Sequence, residues 1–327
     1  MERIFILVFA SYLSFSTLVF ANSISPLDNA IAALESGQTG KALQLFEKQK
    51  HNPRALVYLA KINIAIDLDD AEDWIEKAVD IIPNDGEAHY LRGVIMGQQA
   101  SGSIFSALGY AKKSLTSFNK AVELEPDSIV YQNALMQFHV SAPSIAGGDL
   151  EIAKAQVEKI KMLDQKVGLK AEIQYEQGQG NDKKVDSLLE QAKQTYSKLP
   201  EPFLLAGMIQ QQRKNYPAAF EELSMAISKN AETEESIVAR YKALYQLGKT
   251  SILAKSNFDA GTQALNEYIS EAPNLSGMSP KRWAEFRLAN IMALNSQKSE
   301  AKVIYQRLAK GDDKELASQA KKAAKKI

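Results

Sequence analysis

An all-α solenoid of helix–turn–helix repeats is the fold this sequence predicts, on three observations. Residues of matched size recur at fixed offsets: Ala71, Ile75, Ala78 and Pro83 stand at offsets of 4, 7 and 12, and Ser114, Phe118, Ala121 and Pro126 repeat them. No segment shows the strict apolar–polar alternation of a half-buried strand. At 327 residues the chain exceeds the size at which a single core stops growing, so two domains or a repeat array must divide it.

The offsets have a helical cause. Positions four and seven apart share one face of an α-helix, and a small residue there lets a second helix approach closely. The proline ends the helix, because it lacks an N–H and disfavours helix at the residue before it. Ala219, Leu223, Ala226 and Ala231 repeat the pattern with alanine in place of proline, and Gly261, Leu265, Tyr268 and Pro273 give it again. Ala42 and Phe46 begin a weaker copy, and Ala301, Tyr305 and Leu308 another. Upstream of each lies a partner helix: Phe203, Ala206, Gly207 and Gln210 precede Ala219 by 16, 13, 12 and 9 residues.

This layout resembles the tetratricopeptide repeat, whose pattern of about 34 residues sets large and small landmarks on helix A and a small–large–small–Pro series on helix B. Residues 52–85 match through Tyr58, Leu59, Ile62, Ala71, Ile75, Ala78 and Pro83, and residues 200–233 through Phe203, Ala206, Gly207, Ala219, Leu223 and Ala226. Residues 86–127 match well, and degenerate units are expected at 26–51, 128–165, 166–199, 234–276 and 278–312. The resemblance implies a right-handed superhelix of about eight helix pairs over 22–312. It also implies a protein or peptide partner held on the face that helix A lines.

The leader at 1–21 carries Arg3, an apolar run from Ile4 to Phe20, and Val19-Phe20-Ala21 at the position of a cleavage site. It reads as a secretory signal, with an uncleaved anchor as the competing reading. An exported, periplasmic protein with no later membrane-spanning segment is therefore expected. At the other end, 313–327 reads as a basic capping helix, with Leu316, Ala320, Ala323 and Ile327 on one face and Lys314, Lys321, Lys322, Lys325 and Lys326 around it. A membrane-surface helix is the alternative there.

Composition narrows the chemistry. With 39 basic and 39 acidic residues the chain has no global drive toward nucleic acid. Without cysteine it has no disulfide, thiol nucleophile or cysteine-ligated metal. His51, His89 and His139 fall in three different repeats, and none has the i,i+4 partner of a helical metal site. His89 stands where the repeat prefers tryptophan, so it reads as a packed residue. The acidic run Asp67, Asp69, Asp70, Glu72 and Asp73 lacks the glycine and distal glutamate of a calcium loop, and reads as a turn that caps a helix. Gly248-Lys249-Thr250 lacks the earlier glycine and the strand of a phosphate loop, and reads as a helix C-terminus. No cofactor is expected.

The function expected is that of a non-enzymatic scaffold. Carrying the repeat register across places Leu56, Asn63, Ile64, Tyr90, Val94, Gln132, Met136 and His139 on the groove, with Leu204, Met208, Gln211 and Gln212 further on. None of these is basic, which argues against a clamp for a terminal carboxylate. Two misfits add a second feature. Gly93 to Phe118 spans 25 residues and Leu135 to Val157 spans 22, against 16 from Gly207 to Leu223. The extra residues, at 101–110 and 142–149, are expected in adjacent helix A–helix B turns. The first brings Ile104, Phe105, Leu108 and Tyr110; the second brings Ile145 within an APSIAGGD segment of a kind that resembles one in exported bacterial repeat proteins. Phe105, Leu108, Tyr110 and Ile145, with Gln132, Met136 and His139 beneath them, are the expected recognition site, and Asn63 and Tyr90 extend it. Local packing is the competing reading of the insertions. A hydrolase sited at the insertions and a membrane-surface assembly factor are the other functions to be weighed.

Overall fold

The structure is a computed structural model that describes residues 25–102 and 106–327. The leader at 1–21, Ile104 and Phe105 lie outside the described residues. Among those described there are seventeen α-helices and no strand. Contacts divide the chain into two units, one running to 138 and including 142–149, the other comprising 139–141 and everything from 150.

The first unit holds α1 (Pro26–Glu35) and α2 (Thr39–Glu47), α3 (Pro53–Asn63) and α4 (Leu68–Ile81), and α5 (Gly86–Gly102) and α6 (Ala107–Leu124). It also holds α7 (Ile129–Ser141) as far as 138. Each start has a local cause. Asn52 accepts from the amide of Arg54, and Asp67 accepts from those of Asp69 and Asp70, so the acidic run is indeed the cap of α4. The stops follow the prolines: Ile82 and Glu125, immediately before Pro83 and Pro126, have already left helical geometry. Ion pairs then staple successive repeats, with Arg54 bridging Asp85 at 3.0 Å and Glu87 at 2.6 Å, and Arg92 gripping Glu76 through two nitrogens.

The second unit contains α8 (Leu150–Leu163), α9 (Gln165–Gly178) and α10 (Asp182–Thr195), then α11 (Glu201–Gln212) and α12 (Tyr216–Ser228). It continues through α13 (Glu234–Ala254) and α14 (Phe258–Glu271), α15 (Lys281–Leu294) and α16 (Lys298–Leu308), and ends in α17 (Lys314–Lys326). Buried Leu316 and Ala320 seat α17 against the cluster formed by Phe286, Ala289 and Tyr305. Asp313 caps α17 through the amide of Leu316 and also accepts from the indole of Trp283 at 3.0 Å. The apolar face of α17 is thus spent on protein, as a cap requires.

Glycine sets the closest helix crossings. A Cβ on Gly93 would stand 2.5 Å from the ring of Phe118, and one on Gly207 would stand 2.7 Å from Leu223. Gly248 meets Leu265 in the same way. This corrects the reading of Gly248-Lys249-Thr250 as a helix end: α13 runs on to Ala254, and Gly248 is there because a neighbouring helix leaves no room for a side chain.

The insertions are also more ordered than free turns. Residues 101–102 end α5 and Ala107–Tyr110 form the first turn of α6, so much of the first insertion is extra helix. The second begins where Ala142, held extended before Pro143, stops α7. A single 3₁₀ turn, Ser144–Ala146, follows, and Gly147 adopts φ +98°, a backbone that favours glycine. Any Cβ on Gly148 would collide with the carbonyl of Ala142, and Leu115 of α6 lies against Gly147. The segment is a compact turn docked on α6.

Candidate functional site

Helix A of successive repeats in the second unit encloses a cavity of about 480 Å³. Leu169 and Ile173 come from α9, Leu204, Leu205 and Met208 from α11, and Val238, Lys242, Tyr245 and Gln246 from α13. Their spacing explains the wall: each set lies within one or two turns on a single helix face. Tyr196, Tyr268 and Ser279 complete the lining. Tyr268 is almost wholly buried, donates to the carbonyl of Ser279, and has its phenol pushed up to about 12, chiefly by burial and secondarily by Tyr245. Gln211 ties α11 to α13 behind the cavity, donating to Thr250 at 2.8 Å.

The charged groups are unevenly served. Lys166 of α9 reaches Glu235 of α13 at 2.6 Å and Glu201 of α11 at 3.6 Å, so one lysine links three helices. Burial pulls its pKa down, but hydrogen bonding to Glu235 and the carboxylate charges outweigh that, and the net direction is up. One helical turn further along α9, Lys170 has no ion-pair partner among the described residues. Lys242 of α13, also lining the cavity, likewise has none. Burial lowers the Lys242 pKa, and the charge of Lys170 lowers it further. A buried oxygen of Glu201 and the side-chain oxygen of Gln246 have no hydrogen-bond partner among the described residues. A small set of donors and acceptors around apolar walls is the usual chemistry of a binding pocket.

The structure buries several of the residues that the sequence proposed for the site. Met136 is fully buried, and Asn63, Gln132 and His139 are buried too. They do not present accessible groove surface. The reasons are local. Asn63 donates to the carbonyl of Leu59 in its own helix, at 2.9 Å. Gln132 donates to the carbonyl of Pro126 at 2.7 Å, while Nε2 of His89 sits 2.8 Å from that of Pro83. The same offset of 6 in both repeats makes these side chains ties to the preceding turn. Tyr90 is half-buried and stacked on Tyr131 at 5.2 Å. Tyr110 is half-buried, with its hydroxyl hydrogen-bonded to Glu72 and Lys113 over its ring. Leu108 and Ile145 remain in the open, 39% and 77% exposed.

Leu204 and Met208 line the cavity, whereas Gln211 is the buried tie and exposed Gln212 accepts from Gln177. Sequence reasoning missed Lys166, Lys170, Lys242 and Tyr245, all in degenerate repeats. Aligning Gly248 with Gly207 was the available signal, since it sets Tyr245 in register with Leu204 and Lys249 with Met208.

No protein-family profile matches the chain, and no curated protein does. Solved structures do. The crystal structure of yeast Tom70 superposes with a TM-score of 0.67 at 17% identity, covering 96% of this chain and 67% of that one. A tetratricopeptide repeat protein from Parabacteroides merdae gives a TM-score of 0.49 at 12% identity, covering 82% of this chain and 97% of that one. With the paired helices and glycine crossings above, the fold is that of the tetratricopeptide repeat.

Proposed function

We propose that this protein is a non-enzymatic, exported scaffold that holds a protein or peptide partner in the cavity of its second unit. The observation that carries this reading is the cavity itself: three consecutive A helices converge on it, and its walls are apolar with polar groups at a few points. Stacked repeats supply such a surface without chemistry of their own. Met208 lines the cavity and is 42% exposed, which suits an adaptable contact. Leu108 and Ile145 on the first unit are proposed as a second contact. The leader at 1–21 supports export to the periplasm.

A photo-crosslinking residue placed at Met208 of the full chain, expressed in its own cell envelope, should trap a discrete partner. The same residue at exposed Met225 of α12 should not. Identical adducts from both positions, or none from Met208, would overturn the assignment of the cavity. Recovery of the mature chain from the soluble envelope fraction, beginning after Ala21, tests export.

A further inference from the structure

The occupant of this cavity is open to deduction from charge, on the reading that the cavity binds a partner. Several basic residues of the second unit are engaged across its helices: Lys193 with Glu222, Arg213 with Asp182 and Asp186, Arg240 with Glu267. Four that come together at and beside the cavity, from α9, α13 and α15, are not. Lys170 and Lys242 lie at the cavity. Lys249 follows Lys242 by two helical turns, and the guanidinium of Arg287 from α15 lies 4.9 Å from the ring centre of Tyr245, itself part of the lining. None of the four has an ion-pair partner among the described residues, and Nε of Arg287 is buried without an acceptor.

Leaving like charges together and partly desolvated is unfavourable unless something compensates. Here Lys242 and Lys249 both have pKa values lowered by burial first, and then by Lys170 and Arg287 respectively. From this arrangement we infer that the cavity and its extension along α13 receive an extended peptide segment in which acidic side chains alternate with apolar ones. The apolar residues would fill the space between α9, α11 and α13, and the carboxylates would meet Lys170, Lys242, Lys249 and Arg287. The spacing is compatible with that: Lys242 and Lys249 are seven residues apart on one helix face, about 10 Å. This lies between the roughly 7 and 14 Å that separate same-face side chains two and four residues apart in an extended chain, and long lysine stems span the difference.

The test uses the full chain and four fluorescent dodecapeptides: three that alternate leucine with glutamate, glutamine or lysine, and one of glutamate alone. The glutamate peptide should bind about tenfold more tightly than the glutamine peptide, with an advantage that shrinks as salt rises. Lys242→Met with Lys249→Met should abolish that advantage and leave the glutamine peptide unaffected, whereas Lys302→Met on exposed α16 should change nothing. Met208→Arg should weaken both peptides. Methionine fills the lysine stem's volume, so these variants keep the fold, and circular dichroism checks it. Equal binding of glutamate and glutamine peptides, both lost in Met208→Arg, would leave the cavity as a peptide site and refute its preference for acid. Binding of an all-glutamate peptide as tightly as the alternating one would refute the apolar half of the inference. Failure of every peptide to bind, or binding that Met208→Arg leaves intact, would overturn both readings.

Discussion

A single methyl group added at Gly207 tests the helix separation on which the repeat depends. Its carbon would stand 2.7 and 2.8 Å from Cγ and Cδ2 of Leu223 and 3.2 Å from the Leu223 backbone nitrogen. Carbon contacts normally settle at about 3.5–4.0 Å, so the shortfall against the side chain is about 1 Å. Leu223 is fully buried and cannot swing into solvent. Either α11 and α12 part, or Leu223 leaves its rotamer, at a cost of about 1–3 kcal/mol. Alanine returns about 1 kcal/mol through its helix propensity, so Gly207→Ala should destabilise by about 1 kcal/mol net. Gly109, helical with nothing within 4 Å of its virtual Cβ, is the control; there alanine should stabilise.

A double-mutant cycle sharpens the test. Leu223→Ala alone should cost about 2–5 kcal/mol, but it removes the obstructing atoms, so Gly207→Ala should become stabilising in that background. Urea unfolding followed by far-UV circular dichroism gives the energies. Trp283 fluorescence in a Trp74→Phe chain reports on the second unit alone, since Trp74 lies in α4. If Gly207→Ala stabilises the otherwise unaltered chain as much as Gly109→Ala does, the crossing is not where the structure puts it.

Three further outcomes are expected. Ala226→Leu should overpack a fully buried position on α12 and cost about 1–3 kcal/mol; an unshifted urea midpoint would place Ala226 at the surface. Lys242→Met should stabilise the protein at neutral pH, because folding depresses the lysine pKa and so penalises its charged form. That penalty is complete below the folded pKa and fades as pH rises through it toward the unfolded value of about 10.4. The advantage of methionine should therefore shrink in alkali, and a pH-independent difference would contradict the desolvation argument. Leu108→Ser with Ile145→Ser should move the melt by no more than about 0.5 kcal/mol, since both side chains are exposed. Unchanged partner capture by that variant would remove the second contact from the proposal.

Landmarks that face another helix were legible because packing constrains their size. Ala71, Ile75, Ala78, Phe118, Ala121, Ala219, Leu223 and Ala226 are all buried in the structure. The prolines were equally readable, since their effect on the preceding residue is local. Groove residues were not. A buried glutamine and a displayed one look alike in sequence, and nothing local announces that Gln132 is buried with its amide donating to the carbonyl of Pro126. The cavity was invisible for a related reason. Its lysines sit in repeats whose landmarks have drifted, with tyrosine at 268 and glycine at 261 where other units carry alanine. Side chains from α9, α11 and α13 become neighbours only after those helices are stacked.

Charge shows most clearly what stacking adds. The chain sums to zero, which excludes a global field but says nothing about which charges are already engaged. In the second unit, contacts between helices consume Lys166, Lys193, Arg213 and Arg240. The pairs of Lys166, Lys193 and Arg213 cross from one repeat to another, and that of Arg240 joins the two helices of one repeat. Lys170, Lys242, Lys249 and Arg287 stand on A helices too, without an ion-pair partner among the described residues. Lys166 shows that pairing at this cavity is sterically feasible, because Glu201 and Glu235 reach it from two other helices. Four residues further along α9, no acid is supplied to Lys170. Stability alone would favour an acid there or a neutral side chain, as the depressed pKa of Lys242 attests. A carboxylate brought by a partner would relieve the same repulsion on binding, and the partner's affinity would draw on energy that the free protein holds as strain between like charges.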